Sequence, residues 1–167
     1  ALRPYPYKTA RDLLAMAEDA HISIAELMMR NESAVMPREE VEAKLDAIWR
    51  VMHDAVSRGF RQEAPLPGPF AVARRAEELK TRSAERDPLV VLDWVNAYAI
   101  AASEENAAGG RVVTAPTNGA SGVIPAVIEY YLRHTPNPHQ AGVREILLTA
   151  GAIGILGIQI LATASLE

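Results

Sequence analysis

The sequence predicts an all-α fold, a single helical domain of about six to seven helices around a central apolar helix, with residues 1–8 as a lead-in to a domain that fills residues 1–167. Three observations lead there. Apolar residues recur at helical spacing through most of the chain. The apolar share of 49% is mostly Ala, Leu, Ile and Val, while aromatics supply only 5%, a mix that favours closely packed helices over an aromatic-rich sandwich. The only strand candidate, residues 111–114, is too short and too isolated to imply a sheet. At 167 residues the chain can bury a core without staples, and one domain is favoured over two small ones.

Taken in order, Pro4 and Pro6 keep the first seven residues extended. Thr9 is then the N-cap of a first helix that turns Leu13, Leu14, Met16 and Ala17 inward and ends near His21. Ser23 and Glu26 match a capping box and open a second helix over 24–36. Pro37 suits a first helical position, and Val41, Leu45, Ile48, Trp49, Met52 and Val56 follow at helical spacing as far as Gly59. The stretch 60–69 holds three prolines and reads as a loop in which Leu66 and the adjoining Phe70 pack. Residues 70–86 read as a surface helix with Val72, Ala76 and Leu79 inward and the Arg74-Arg75 pair on a solvated face beside Glu77-Glu78.

Asp87-Pro88 is a strong start signal for the next helix, whose Leu89, Val90, Leu92, Trp94, Val95, Tyr98, Ala99 and Ile100 leave little polar surface. This is the central helix. A further helix is expected from Gly119 or Ser121 to about His134, kinked or started near Pro125, and a last one from Gln140 into the apolar tail. The tail reads as a buried helix and not as a membrane span, because Gln159 and three glycines interrupt it and no aromatic flanks it.

Several classes of partner are excluded. A net charge of -4 with both signs interspersed gives no basic stripe for nucleic acid. Without cysteine the chain forms no disulfide and offers no thiolate to a metal. Of four histidines, no pair stands at metal-ligand spacing on one helical face. His21 suits a helix C-terminus, His53 a partly buried or surface position, and His134 and His139 are separated by a proline-containing turn. Ala1 is not an initiator methionine, no secretory leader opens the chain, and Leu166-Glu167 reads as a vector-derived scar, so the sequence is expected to be an excised piece.

Chemistry is most expected in the run G-G-R-V-V-T-A-P-T-N-G-A-S-G-V-I-P at 109–125. Thr114, Thr117, Asn118 and Ser121 offer hydroxyl and amide groups, and the amides from Asn118 through Gly119 and Ala120 would leave a helix N-terminus, where a carboxylate or phosphate is favoured. The alternative is that Thr117 or Asn118 only caps the helix. A P-loop is excluded because no lysine follows the glycines, and the dinucleotide fingerprint because its glycines and strand are missing. Just upstream, Glu104-Glu105-Asn106 place acids at a helix C-terminus, against the dipole, either as a solvated turn with Arg111 as partner or in a functional role.

The run from Asn106 to Val127, continuing to Tyr130-Tyr131-Leu132, closely resembles the α domain of bacterial iron-sulfur L-serine dehydratases. The likeness extends to Asp87-Pro88, Asp93-Trp94-Val95-Asn96, Ser23-Ile24, Met28 to Glu32, and the run L-L-T-A-G-A-I-G at 147–154, and so spans nearly the whole chain. The resemblance implies a cytoplasmic lyase of amino-acid catabolism and gluconeogenesis that converts L-serine to pyruvate and ammonia, with a 4Fe-4S cluster assisting departure of the hydroxyl. Thr114, Thr117, Asn118, Gly119, Ala120 and Ser121 are then the candidate cradle for the substrate carboxylate, with no catalytic base assigned. In the family, the run at 149–154 leads to an Asn-, Ser- and Gly-rich segment and then to cluster-binding cysteines; here I-L-G-I-Q-I-L follows and no cysteine is reached. The chain is therefore expected to lack the β domain and the cluster-binding segment, to be inactive alone, and to form a homo-oligomer through an apolar face at 153–161. A cluster-free helical module that binds a small anion or amino acid without catalysis is the alternative.

Overall fold

Thr9 opens the first helix, α1 (Ala10–Asp19), through a reciprocal capping box: its hydroxyl accepts from the Asp12 amide at 3.1 Å, and the Asp12 carboxylate accepts from the Thr9 amide at 2.9 Å. The structure is a computed structural model that describes the backbone of residues 3–82, 90–114 and 117–164, and the side chains of 3–81, 90–114 and 117–157. The start signal at Asp87-Pro88, together with Ala115, Pro116 and the last residues, lies outside the described residues. The other elements are α2 (Ile24–Ser33), α3 (Arg38–Arg61), α4 (Ala76–Arg82), α5 (Val90–Ala107), α6 (Val123–His134) and α7 (Gln140–Ala164), with a 3-10 turn at Asn118–Ala120. The described residues contain these seven α-helices and no strand, which is the all-α fold expected.

Contacts within the chain gather in two compact units, residues 1–47 with 139–167, and residues 48–138; α3 contributes its first ten residues to one and the remainder to the other. In the first unit, Leu13 and Ala17 of α1, Leu27, Met28 and Met29 of α2, Val41 of α3 and Leu148 and Ala152 of α7 form the core. Leu14, expected inward, is instead exposed. The lead-in is tied down by Asn31, a buried side chain on α2. Its Oδ1 accepts from the Tyr5 amide and its Nδ2 donates to the Tyr5 carbonyl, both at 2.8 Å, pairing an extended backbone as a neighbouring strand would. Ser23 caps α2 by accepting from the Glu26 amide at 3.1 Å. The Glu26 carboxylate does not complete a box but turns to Arg30 and Arg38, and the Arg30 hydrogen bond is the main cause holding its pKa below the usual carboxylate range. On α7, Arg144 binds Asp46 and Glu42 of α3 at 2.7 and 2.6 Å.

Both α1 and α5 end in the same hydrogen-bonded turn. His21 and Ile22 donate to Glu18 and Ala17, just as Gly109 and Gly110 donate to Asn106 and Glu105. The position after the cap is left-handed in each, with φ +79 at Gly109 and φ +51 at His21. A side chain in that conformation is strained, whereas glycine is not. His21→Gly is therefore expected to raise stability by about 0.5–1 kcal/mol in urea unfolding. A loss of stability would show that the exposed His21 ring makes a stabilising contact that outweighs this strain.

In the second unit, Val56 of α3, Ala76 of α4, Tyr98, Ala101 and Ala102 of α5 and Ala126 of α6 form the core, with Phe60 and Trp94 packed against it. The small residues let the helices approach closely: at Gly59 a Cβ would fall inside the backbone of Ala101. Helix α4 begins later than the charge pattern suggests. Residues 71–75 are not helical, Ala71 has φ +44, and Phe70, expected to pack, is 86% exposed. The cause is long-range. The Arg75 amide is drawn to the Glu104 carboxylate of α5 at 2.6 Å, and Arg74 Nε to the Ala64 carbonyl at 2.8 Å. Among the described residues, no helix is long and apolar enough to cross a membrane.

Candidate functional site

The end of α5, the loop at 109–122 and the start of α6 are held together by backbone. Gly122 lies so close to the Ala99 carbonyl and the Ser103 hydroxyl that a Cβ has no room. Asn106 Nδ2 donates to the Asn118 carbonyl at 3.3 Å, tying the last turn of α5 to the loop. The Thr114 hydroxyl donates to the Thr117 carbonyl, and the Ser121 amide to the Asn118 carbonyl at 3.1 Å. The six candidate residues thus fall on one short hydrogen-bonded segment. Thr117 is extended and makes no side-chain cap bond to the 3-10 turn that it precedes. Thr114, Thr117, Asn118, Gly119 and Ala120 are exposed, whereas Ser121 is buried and its Oγ has no hydrogen-bond partner among the described residues.

The helix that follows differs in one respect from a simple anion-binding terminus. Asn118–Ala120 form a single 3-10 turn, and α6 proper starts at Val123, with Pro125 at its third position. Pro125 has no N–H, so the first turn of α6 presents the amides of Val123 and Ile124 and the hydroxyl of Ser121.

α5 and α6 carry three buried carboxylates, each facing a basic side chain from another element or the next turn. Glu105 faces Arg58 Nε of α3, whose Nη2 donates onward to the Arg111 carbonyl at 2.8 Å. Glu104 accepts from the Arg75 amide and faces Arg74 Nη1 at 3.9 Å. Glu129 of α6, 1% exposed, faces His53 Nδ1 and accepts from Arg133 Nε at 2.7 Å. The acids at the end of α5 therefore do not form a solvated turn; their partners are Arg58 and Arg74, not the Arg111 side chain. Arg74, expected on a solvated face, has a side chain only 9% exposed. Sequence reasoning passed over Glu129, although a lone carboxylate inside the apolar run of α6 with Arg133 one turn on was a readable signal.

At the far end of α6, His134 stacks on Tyr130 and contacts Trp94, and its Nε2 lies 3.0 Å from the Tyr98 hydroxyl. Burial, opposed by Arg133 and reinforced by Glu129, pushes the Tyr98 phenol up to about 12, so it carries its proton at neutral pH and donates. Burial first and Arg133 second lower the His134 pKa, which agrees with a neutral ring accepting at Nε2. His139 instead accepts from the Gly142 amide in the first turn of α7. Among the described residues, no group of three or more His, Asp or Glu side chains is placed to hold a metal ion. With no cysteine anywhere in the 167 residues, the side chains present do not fit an iron-sulfur cluster, whose irons are held chiefly by thiolates.

The sequence that builds this helical body has relatives among known proteins. The family model described as serine dehydratase alpha chain matches residues 19–165, and the chain belongs to that family. It is 48% identical over 158 residues to L-serine dehydratase TdcG of Escherichia coli, covering 92% of this chain and 35% of that protein. It is 49% identical over 155 residues to an L-serine dehydratase of Streptomyces coelicolor, covering 91% of this chain and 34% of that one. An L-serine dehydratase of Helicobacter pylori is 38% identical over 159 residues, again covering 91% of this chain and 34% of the relative. The chain thus spans about a third of the length of these relatives.

Proposed function

We propose that this chain is the substrate-holding part of an L-serine dehydratase, a cytoplasmic lyase that converts L-serine to pyruvate and ammonia. The observation that carries the reading is the similarity to proteins of that name over more than nine-tenths of the chain. In the reaction the Cα proton is removed and the Cβ–O bond breaks with loss of hydroxide. The resulting aminoacrylate tautomerises to an imine, and water releases pyruvate and ammonia. The part assigned to these residues is positioning. The Thr117 and Ser121 hydroxyls, with amides of Asn118, Gly119 and Ala120, hold the carboxylate so that the two breaking bonds are aligned, and Thr114, whose hydroxyl donates to the Thr117 carbonyl, fixes the segment that carries them. In this reading the 4Fe-4S cluster of the enzyme takes its thiolates from outside these residues, and the isolated chain is inactive. Self-association through the face of α7 that exposes Ile153 belongs to the same reading, and a monomer by light scattering at high concentration would remove that part.

The test is a titration of the ¹⁵N-labelled chain with L-serine, with pyruvate assayed in parallel. Saturable amide shifts at residues 114–122 without pyruvate are expected. No response there at high serine would leave the loop a structural connector, and pyruvate release would overturn the assignment of positioning alone.

A further inference from the structure

Away from the loop, the end of α3, the segment before α4 and α5 enclose an open groove of about 730 Å³. Two oppositely charged side chains stand at its wall, and each is pinned at one end and unsatisfied at the other. Arg74 is anchored through Nε on the Ala64 carbonyl, while its Nη1 is buried without a hydrogen-bond partner. Glu104 is anchored through Oε1 on the Arg75 amide, while its Oε2 is buried without one. The two unsatisfied atoms lie 3.9 Å apart, beyond hydrogen-bonding reach of one another, with side chains 9% and 7% exposed. Such groups lose hydration and recover little, so a pair of them at a cavity wall marks a place where a ligand, or water in its absence, completes the bonding.

The charges define the ligand. The lining carries Arg61, Arg74 and Lys80 against Glu63, Glu77 and Glu104, a balanced set that attracts neither a simple anion nor a simple cation. Lys80 is already engaged, bonded to Glu77 at 3.3 Å and lying over the Phe60 ring at 5.1 Å, so the unsatisfied valences are those of Arg74 and Glu104. We infer that this groove binds a small zwitterion, an α-amino acid, whose carboxylate accepts from Arg74 Nη1 while its ammonium donates to Glu104 Oε2. The ammonium and carboxylate of an α-amino acid sit on one carbon, which suits two neighbouring wall groups of opposite sign. Phe60 offers an apolar surface to the side chain. The site is distinct from the loop and does not rest on the reading of the loop as a cradle.

L-Alanine is the probe, with propionate and ethylamine as its two singly charged halves. Titrated into the unmodified ¹⁵N-labelled chain, L-alanine is expected to shift the amides of residues 59–63 and 74–80 saturably, and each half to bind at least about tenfold more weakly. Glu104→Gln, which keeps the shape of the side chain, is expected to weaken L-alanine at least about tenfold and to leave propionate unchanged. Propionate binding as tightly as L-alanine would reduce the groove to an anion site and overturn the inference. So would the absence of saturable shifts in these two segments. Because the amides of residues 114–122 are read separately in the same spectra, the loop and the groove can fail independently, and the comparison of the three probes needs no variant.

Discussion

Gly59→Ala is expected to destabilise the protein by about 2–3 kcal/mol in urea unfolding, although it adds about 1 kcal/mol of intrinsic helix preference. The two effects have opposite signs because they arise at different levels. In isolation, a peptide spanning α3 should become more helical with alanine, since glycine is a poor helix former. In the folded chain the new methyl would have to occupy the backbone of Ala101 on α5, and a backbone cannot rotate away as a side chain can. Circular dichroism of the peptide and urea unfolding of the protein measure the two levels separately. Equal or greater stability of the Gly59→Ala protein would mean that α3 and α5 can separate at little cost, and the close contact would lose its structural role.

Removing both basic-side-chain neighbours of Glu129, His53 and Arg133, is expected to cost more than removing Glu129 itself. The asymmetry follows from exposure: the carboxylate is 1% exposed, whereas the side chains of His53 and Arg133 are 41% and 53% exposed and can return to water. His53→Phe with Arg133→Met leaves a buried acid without these two polar neighbours, at about 3–5 kcal/mol. Adding Glu129→Leu to that pair removes the stranded charge and is expected to restore most of the loss. The cycle is read by urea unfolding of the single, double and triple variants. A double variant that loses less than about 1 kcal/mol, or a triple variant that recovers nothing, would show that the carboxylate does not depend on these partners.

Much of the architecture is legible in local sequence because its causes are local. The caps at Thr9 and Ser23, the helical start after Pro37, the end of α5 at the glycine pair and the final helix from Gln140 each rest on neighbours within four residues, and each is found. What could not be read is set by distant partners. Arg74 looks as solvated as its neighbour Arg75, which is exposed, until Glu104, 29 residues beyond Arg75, takes the Arg75 amide, faces the Arg74 side chain and delays α4. The acids at 104 and 105 look misplaced at a helix end until Arg58, 47 residues before Glu105, arrives from α3. In the loop, the residue types were readable but the backbone path was not. A single 3-10 turn at Asn118–Ala120, and Pro125 inside the first turn of α6, leave fewer amides than an uninterrupted helix start would offer.

The placement of the aromatic residues also makes the chain its own instrument. Both tryptophans belong to the unit spanning residues 48–138, Trp49 beside His53 at 5.6 Å and Trp94 stacked on Tyr98 at 5.6 Å. Tyr5 and Tyr7 pack against the core of the other unit. Tryptophan emission therefore follows one unit alone. Far-ultraviolet circular dichroism sums the helices of both, so divergence of the two signals during denaturation would resolve two transitions, and coincidence would establish that both units melt together.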